Sequence, residues 1–167
     1  MKKRPIEYLP ESCYGSTRLN LIGLAGPKGV GKTTFAHELG GQVFSLATPL
    51  KELLSNIVPK IYLYEEKEMQ IQGWPDGLTG RVLLQQVGTE CFRKLWKDIW
   101  VYHLMERIEK VDGLCVVDDV RFPNEAEYIK SKGGKIWRLH RDGIESNDPH
   151  SSEAPLKNDL IDKEIYL

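Results

Sequence analysis

The chain has 167 residues, of which 41% are hydrophobic and 28% charged, a balance that predicts one globular domain spanning residues 1–167. Its formal net charge of −1 leaves no overall field to attract nucleic acid. No apolar run approaches the ~18 residues needed to cross a bilayer, so we expect no membrane binding, and the charge balance predicts no stable binding of nucleic acid. The three cysteines have no CxxC spacing and suggest neither a disulfide framework nor a zinc site, so we expect a cytoplasmic protein.

The first third of the chain predicts an alternation of strands and helices. Residues 1–18 mix Pro, Ser, Gly and charges without periodicity and predict an irregular arm. Residues 21–26 are a short apolar run that ends in Gly-Pro, which favours a buried parallel strand, and a glycine-rich loop and a helix over 32–39 follow. Residues 42–47 predict a second strand, and Pro49 begins a helix that Pro59 should end.

The remainder continues the same alternation. Residues 64–80 are polar and rich in glycine, which predicts a long loop or lid-like excursion, and residues 81–110 predict two amphipathic helices. Further strands are expected at 114–117, 135–140 and 160–167, with a helix from Pro123 to Gly133. This order predicts a three-layer α/β fold, with a mainly parallel sheet of about five strands and helices on both faces. Ligands should gather at the carboxyl ends of the strands.

One motif with specific chemistry follows the first strand. Residues 26–33 match G-x-x-x-x-G-K-[ST], the Walker A loop, and the strand before it and the helix after it are the context that a P-loop NTPase fold requires. Backbone N–H groups of such a loop turn inward around phosphate oxygens. The candidate ATP-binding residues of this segment are Gly26, Lys28, Gly29, Val30, Gly31, Lys32, Thr33 and Thr34. The alternatives are a plain glycine turn before a helix, or a P-loop that binds nucleotide without catalysis.

The motif assigns roles to two of its side chains. Lys32 would reach the β- and γ-phosphates of ATP, and the hydroxyl of Thr33 would be a ligand of Mg²⁺. ATP is therefore the expected co-substrate and Mg²⁺ the expected cofactor.

The third predicted strand runs into two adjacent aspartates. Asp118 and Asp119 lie where a Walker B carboxylate belongs, bound to Mg²⁺ directly or through water, and the alternation of side chains along a strand lets only one face the site. If the strand continues, Arg121 points to the same side as Asp119, towards phosphate. The alternatives are a polar strand end in solvent and a surface arginine paired with Glu125.

Other cationic and aromatic residues are spread along the chain. Arg81, Arg93, Arg138 and Arg141 could clamp two charged substrates, or could lie on a solvated surface. Among the four tryptophans, Trp74 is the candidate for contact with a base, because it lies in the polar 64–80 loop.

Four segments carry a resemblance to a known family. They are the Walker A loop, residues 47–51 (ATPLK), residues 83–93 (LLQQVGTECFR) and residues 119–125 (DVRFPNE). On these segments the chain resembles bacteriophage-type deoxynucleoside monophosphate kinases, a branch of the P-loop nucleoside monophosphate kinases, over most of residues 20–160. The resemblance implies transfer of phosphate from ATP to a deoxynucleoside monophosphate by a monomer or homodimer, in the host cytoplasm if the chain is phage-encoded.

The resemblance also implies site residues. It favours Asp119 over Asp118 for the metal, and the catalytic candidates are Lys32, Arg121 and Asp119. It makes Lys51, Arg81, Gln85, Arg93 and Arg121 candidates for the acceptor nucleotide, and it raises Glu153 as a further acceptor candidate together with His150. Trp74 in the polar loop is also a candidate for the acceptor, and Arg141 is a candidate for ATP. The rival functions are another small-molecule P-loop kinase, for dephospho-coenzyme A or a sugar acid, and a nucleotide-gated binding module or ATPase.

Overall fold

A computed structural model describes residues 20–144 and 154–167, which divide into two compact units. Unit 1 holds residues 20–46, 104–144 and 154–167, and unit 2 is Ala47–His103. The expected arm over residues 1–18 lies outside the described residues. In chain order the elements are β1 (Asn20–Ala25), α1 (Lys32–Glu38), β2 (Gln42–Phe44), α2 (Thr48–Leu54), α3 (Ile61–Tyr64), α4 (Gly80–Gln85), a π-helical segment (Gln86–Arg93), α5 (Ile99–Ile108), β3 (Leu114–Val117), α6 (Pro123–Ser131), β4 (Lys135–His140), a 3₁₀ turn (Asn158–Leu160) and β5 (Lys163–Tyr166).

Unit 1 is built on a five-stranded sheet in the order β2-β3-β1-β4-β5, and every neighbouring pair is parallel. The central strand β1 is buried along nearly its whole length, as expected for a strand covered on both faces. The carboxyl ends of β1 and β3 therefore lie side by side. The predicted parallel α/β sheet is confirmed.

The two faces of β1 contact different helices. Ile22 and Leu24 share a buried cluster with Phe35 of α1. The opposite face carries Gly23, where a Cβ would lie 3.1 Å from Ile129 of α6 and 2.8 Å from a neighbouring strand residue. Side chains alternate across a strand, so α1 and α6 cover opposite faces of the sheet and form the predicted three layers.

Three predicted boundaries were wrong by several residues. β2 ends at Phe44 instead of residue 47, and β5 begins at Lys163, after the 3₁₀ turn, instead of at residue 160. The helix that contains Pro49 ends at Leu54, and residues 55–58 then form turns closed by backbone hydrogen bonds. Pro59 therefore follows a turn and does not itself end the helix.

Unit 2 contains short helices around an ordered loop. Residues 65–79 connect α3 to α4, so the predicted 64–80 loop is confirmed to within a residue at each end. Within it the Gln70 side chain accepts a hydrogen bond from Gly77 N–H at 2.8 Å, and Ile71 N–H donates to the Leu78 carbonyl at 3.0 Å. Across the described ranges, no helix combines the length and apolar character needed to cross a bilayer.

The helical stretch after α4 widens into π geometry over Gln86–Arg93. Gly88 is buried there, and a Cβ in its place would lie 2.6 Å from Leu50 of α2. Its carbonyl accepts a hydrogen bond from the indole of Trp100 at 3.0 Å. The glycine lets α2 approach the π segment closely, and thus brings the ATPLK and LLQQVGTECFR segments into contact within unit 2.

Candidate active site

The loop between β1 and α1 begins and ends with glycines that have left-handed backbone angles. Gly26 has φ of 139° and Gly31 has φ of 103°. A Cβ on Gly26 would lie 2.7 Å from the backbone oxygen of Leu139 in β4, so no larger residue fits without a shift of the backbone. The predicted strand, loop and helix around the Walker A motif are confirmed.

The other residues of the loop and of the first turn of α1 differ in burial. Val30 is fully buried in the core cluster and fixes the loop to unit 1. Lys28 and Gly29 are exposed at the tip, and Thr34 is exposed in the first turn of α1. These exposed groups are accessible to a ligand that lies over the loop.

The ammonium group of Lys32 folds back over the loop. Its Nζ donates to the carbonyl oxygens of Gly26 and Pro27, both at 2.8 Å. Lysine carries three donors on a flexible stem, so the same group can turn from these carbonyls to a phosphate oxygen. The structure thus holds a positive charge at the loop.

Thr33 and Asp118 come together beside the loop. The Thr33 hydroxyl donates to Asp118 Oδ2 at 2.6 Å, and Asp118 is only 9% exposed. Asp118 follows β3, which is paired with β1, so the sheet itself sets this contact between α1 and the end of β3. The structure therefore brings Asp118, the sequence-based alternative, to the residue predicted to bind the metal.

Asp119 engages a different element. Its Oδ2 accepts from the Ser45 hydroxyl and its Oδ1 from Leu46 N–H, both at 2.6 Å. The two carboxylates diverge as the sequence predicted, but the preferred aspartate is bonded to the chain after β2 instead of to Thr33. Ser45 had not been singled out from the sequence, because a serine after a short strand has no motif of its own.

The strand predicted at 114–117 is confirmed, and because it ends at Val117 it does not continue through Arg121. Arg121 is half-buried, and its backbone N–H donates to Glu125 Oε2 at 2.8 Å. The same oxygen accepts from Phe122 N–H at 2.9 Å, and Glu125 is only 1% exposed. Glu125 is thus a buried cap at the start of α6, and the alternative of a solvent-exposed pair does not describe it.

Arg138 within β4 and Arg141 just after it differ in their surroundings. Arg141 is exposed, and a Cβ built on Gly31 would lie 3.1 Å from its Nη2, so its guanidinium borders the P-loop. Arg138 instead donates to Asn158 at 2.8 Å, to the Leu156 carbonyl and to Glu164. Arg141 therefore lies beside the P-loop, whereas Arg138 ties β4 to the segment before β5 and to β5 itself.

Two of the acceptor candidates in unit 2 have charged or aromatic neighbours. The ammonium of Lys51 lies 4.4 Å from the centroid of the Tyr64 ring. Arg81 pairs with Glu68 at 3.5 Å, and its side chain is 18% exposed. Both side chains carry a positive charge at a partly open surface.

The remaining acceptor candidates are placed individually. Trp74 is half-buried in the 65–79 loop, and Gln85 is half-buried at the end of α4. Arg93, at the end of the π segment, donates to the Lys97 carbonyl at 3.3 Å. Glu153 and His150 lie outside the described residues.

The oxygen donors of unit 1 fit a magnesium site. Among residues 20–144 and 154–167, no three His, Cys, Asp or Glu side chains gather as a metal cluster. Mg²⁺ in phosphoryl-transfer sites needs no such cluster, since it uses one or two protein oxygens together with phosphates and waters. The paired oxygens of Thr33 and Asp118 are a donor set of this kind.

Comparisons with protein families and with individual sequences identify similar proteins. A family model described as deoxynucleotide monophosphate kinase matches residues 58–166. A protein of Acanthamoeba polyphaga mimivirus with the same description is 39% identical over 160 residues, which cover 83% of this chain and 82% of that protein.

Two phage proteins match a smaller part of the chain. A deoxynucleotide monophosphate kinase of Escherichia phage RB69 is 29% identical over 106 residues, covering 59% of this chain and 43% of that protein. A deoxynucleoside-5'-monophosphate kinase of Escherichia phage T5 is 31% identical over 125 residues, covering 60% and 50%. The matches span about half the length of these two relatives. Among solved structures, a dephospho-CoA kinase from Campylobacter jejuni aligns with a TM-score of 0.44 and 12% identity, covering 89% of this chain and 88% of that one.

Proposed function

The chain belongs to the deoxynucleotide monophosphate kinase family, and on that premise we propose that it transfers the γ-phosphoryl group of ATP to a deoxynucleoside monophosphate. The products are ADP and the deoxynucleoside diphosphate. The contact between Thr33 and Asp118 beside the Walker A loop carries this proposal, because a hydroxyl and a carboxylate next to a P-loop are the ligands that a phosphate-bound Mg²⁺ uses.

On the donor side, the loop amides and Lys32 bind the phosphate tail of ATP. The ammonium now bonded to the Gly26 and Pro27 carbonyls turns to the β- and γ-phosphate oxygens and neutralises charge as the transferring group separates. Arg141, beside Gly31, adds a second positive charge at the same end of the sheet. The exposed side chains of Lys28 and Thr34 complete the set proposed for ATP.

Thr33 and Asp118 are the residues that would hold Mg²⁺, with Asp118 in place of the Asp119 favoured by the sequence. Bound there, Mg²⁺ would supply a divalent positive charge that offsets the negative charge of the phosphates. The neutral Thr33 hydroxyl and the nearly buried Asp118 carboxylate give one negative charge for it to bind. In this proposal Asp119 does not bind Mg²⁺, and its carboxylate instead accepts hydrogen bonds from Ser45 and Leu46.

On the acceptor side we propose the cationic residues that the resemblance identified. Lys51, Arg81, Arg93 and Arg121 offset the charge of the monophosphate, and Gln85, Trp74 and Glu153 are proposed for its sugar or base. The attacking oxygen belongs to a phosphate that is already an anion, so the chain needs no strong general base. Its contribution is to position the two phosphates in line and to screen their repulsion.

The test is a coupled ADP-release assay of the purified chain with Mg²⁺ and ATP against a panel of deoxy- and ribonucleoside monophosphates. We expect turnover with one or more deoxynucleotides. Lys32→Ala should lower kcat by about 100-fold or more, because it removes a charge aimed at the transferring phosphate. The matched control, Lys135→Ala, changes an exposed lysine at the start of β4 and should keep normal turnover.

Other acceptors distinguish the rival functions in the same assay. Turnover with dephospho-coenzyme A or a sugar acid, and with no nucleoside monophosphate, would replace the proposed substrate. ATP hydrolysis that depends on added DNA, with no phosphorylated product, would point to the binding-module alternative and overturn the proposal.

A further inference from the structure

The two adjacent aspartates after β3 have different hydrogen-bond partners, and the partners of Asp119 suggest a role other than metal binding. Asp118 contacts Thr33, while Asp119 binds Ser45 and Leu46, the last two residues of unit 1 before the chain enters unit 2. We infer that Asp119 is a positioning residue for the acceptor nucleotide, which acts by fixing the start of the ATPLK segment. This inference rests on the proposed kinase function.

Asp119 extends the pairing of β2 with β3 past the end of both strands. The last backbone bond of this pair runs from Asp118 N–H to the Phe44 carbonyl at 2.9 Å. Two residues after Phe44, in the segment that follows β2, Leu46 N–H donates to the carboxylate of Asp119. The side chain thus takes the place of the strand carbonyl that would otherwise receive this N–H, and Ser45 adds a second bond to it.

The residue held in this way directly precedes α2. Leu46 is buried, and Ala47 is the N-cap of the helix. The first helical bond runs from Lys51 N–H to the Ala47 carbonyl at 3.0 Å, so the position of Ala47 sets where Lys51 lies. Leu50, on the same turn, packs against Gly88 of the other acceptor segment. The bonds from Asp119 thus hold the residue that is covalently joined to the N-cap of α2.

We call the two hydrogen bonds that Asp119 accepts from Ser45 and Leu46 the clamp, and its chemistry differs from that of a metal site. Ser45 and Leu46 each donate to Asp119, and a neutral asparagine can keep these two bonds if its oxygen faces Leu46 N–H and its amide donates to the Ser45 oxygen. A residue that binds Mg²⁺ through its negative charge has no such substitute. Asp119→Asn should therefore preserve function, whereas Asp119→Ala should remove the clamp.

The experiment compares Asp119→Asn, Asp119→Ala, Ser45→Ala and Asp118→Asn for kcat, for the KM of each substrate and for the Mg²⁺ midpoint at fixed ATP. Asp119→Ala should raise the KM for the deoxynucleoside monophosphate about tenfold, with an unchanged KM for ATP and an unchanged Mg²⁺ midpoint. Ser45→Ala should move the same KM in the same direction by less. Asp119→Asn should stay within about twofold of the unsubstituted chain, and Asp118→Asn should lose turnover and shift the Mg²⁺ midpoint.

Three results would overturn the inference. They are an Asp119→Asn variant as impaired as Asp119→Ala, a Mg²⁺ midpoint shifted by either change, and an unchanged acceptor KM in Ser45→Ala and Asp119→Ala. Ser45→Ala keeps the test valid should Asp119→Ala fail to fold. Hydrogen exchange at the Leu46 amide gives a readout that needs no activity. It should be about tenfold faster in Asp119→Ala than in Asp119→Asn, even if the chain phosphorylates some other acceptor.

Discussion

Arg141 is an exposed side chain that borders the P-loop. Its guanidinium lies beside Gly31, at the last residue of the P-loop before α1. An arginine there can donate two parallel hydrogen bonds to a phosphate, or lie flat against a base. We assign either contact to ATP, because the guanidinium borders the loop that we propose for the ATP phosphates.

We therefore expect Arg141→Ala to raise the KM for ATP about tenfold, as the loss of a hydrogen bond to a charged group does. The KM for the deoxynucleotide should stay within about twofold, and Arg141→Lys should recover part of the effect by restoring the charge. Steady-state kinetics with each substrate varied in turn provides the measurement, and Lys157→Ala, an exposed lysine before the 3₁₀ turn, is the control. An unchanged KM for ATP in Arg141→Ala would contradict the assignment.

The residues proposed to bind ATP could be predicted from the sequence, but the side chains that they contact in the structure could not. The Walker A pattern identified Lys32 and Thr33 because its spacing reflects a loop that closes on itself. The choice between Asp118 and Asp119 depends on where the chain turns after β3. Strand alternation predicts that the two side chains diverge, but it does not say which of them meets α1. The burial of Glu125 was missed for a similar reason, since a cap and a surface pair have the same sequence spacing.

At the scale of elements, β5 is an edge strand that one carboxylate secures at its start. Asp162 Oδ1 pairs with Lys130 of α6 at 2.8 Å, and its Oδ2 accepts from Ile136 N–H of β4, also at 2.8 Å. Partial burial raises the pKa of Asp162, but the hydrogen bond from Ile136 and the charge of Lys130 outweigh it, and the pKa lies below its usual value.

A depressed pKa fixes the sign of the pH dependence. Asp162 contributes stability above its unfolded pKa of about 3.9, and loses it as pH falls through the lower folded value. Asp162→Asn should thus lower the free energy of unfolding by about 1 kcal/mol at neutral pH, a figure reduced for partial exposure. The deficit should shrink below about pH 4.

Urea unfolding of both proteins at several pH values between 3 and 8 measures this deficit. The control is Asp159→Asn, an exposed aspartate in the neighbouring 3₁₀ turn. A deficit that stayed constant down to pH 3 would show that the charge of Asp162 is not its source.

The elements themselves were predictable to the extent that their pattern is local. Buried strands such as β1 and β3 stand out as apolar runs, and the order of strands and helices indicated a parallel sheet. The π segment could not be predicted from local pattern, and the Gly88 carbonyl within it bonds to the indole of Trp100, twelve residues later in the chain. The residues that follow β2 likewise bond to Asp119, which is distant in sequence.

At the scale of the whole molecule, we propose that the two compact units form the single domain expected from the sequence. Unit 2 has fewer than about 60 residues, near the size at which a chain barely buries enough apolar surface to be stable alone. Its helices are short, and about 15 of its residues form the 65–79 loop. Helix α5 begins in unit 2 and ends in unit 1, so the boundary between the units falls inside one helix.

Cooperative unfolding of the whole chain follows from this proposal. In a variant that retains only Trp137, indole fluorescence reports on unit 1, and in a variant that retains only Trp100 it reports on unit 2. Both tryptophans are buried, so each should change its emission on unfolding. Within each variant, we expect the urea midpoint from fluorescence to coincide with that from far-UV circular dichroism, because a two-state chain gives the same transition by every probe. If Trp100 fluorescence changed at lower urea than the dichroism of the same variant, unit 2 would unfold by itself and the chain would contain two domains.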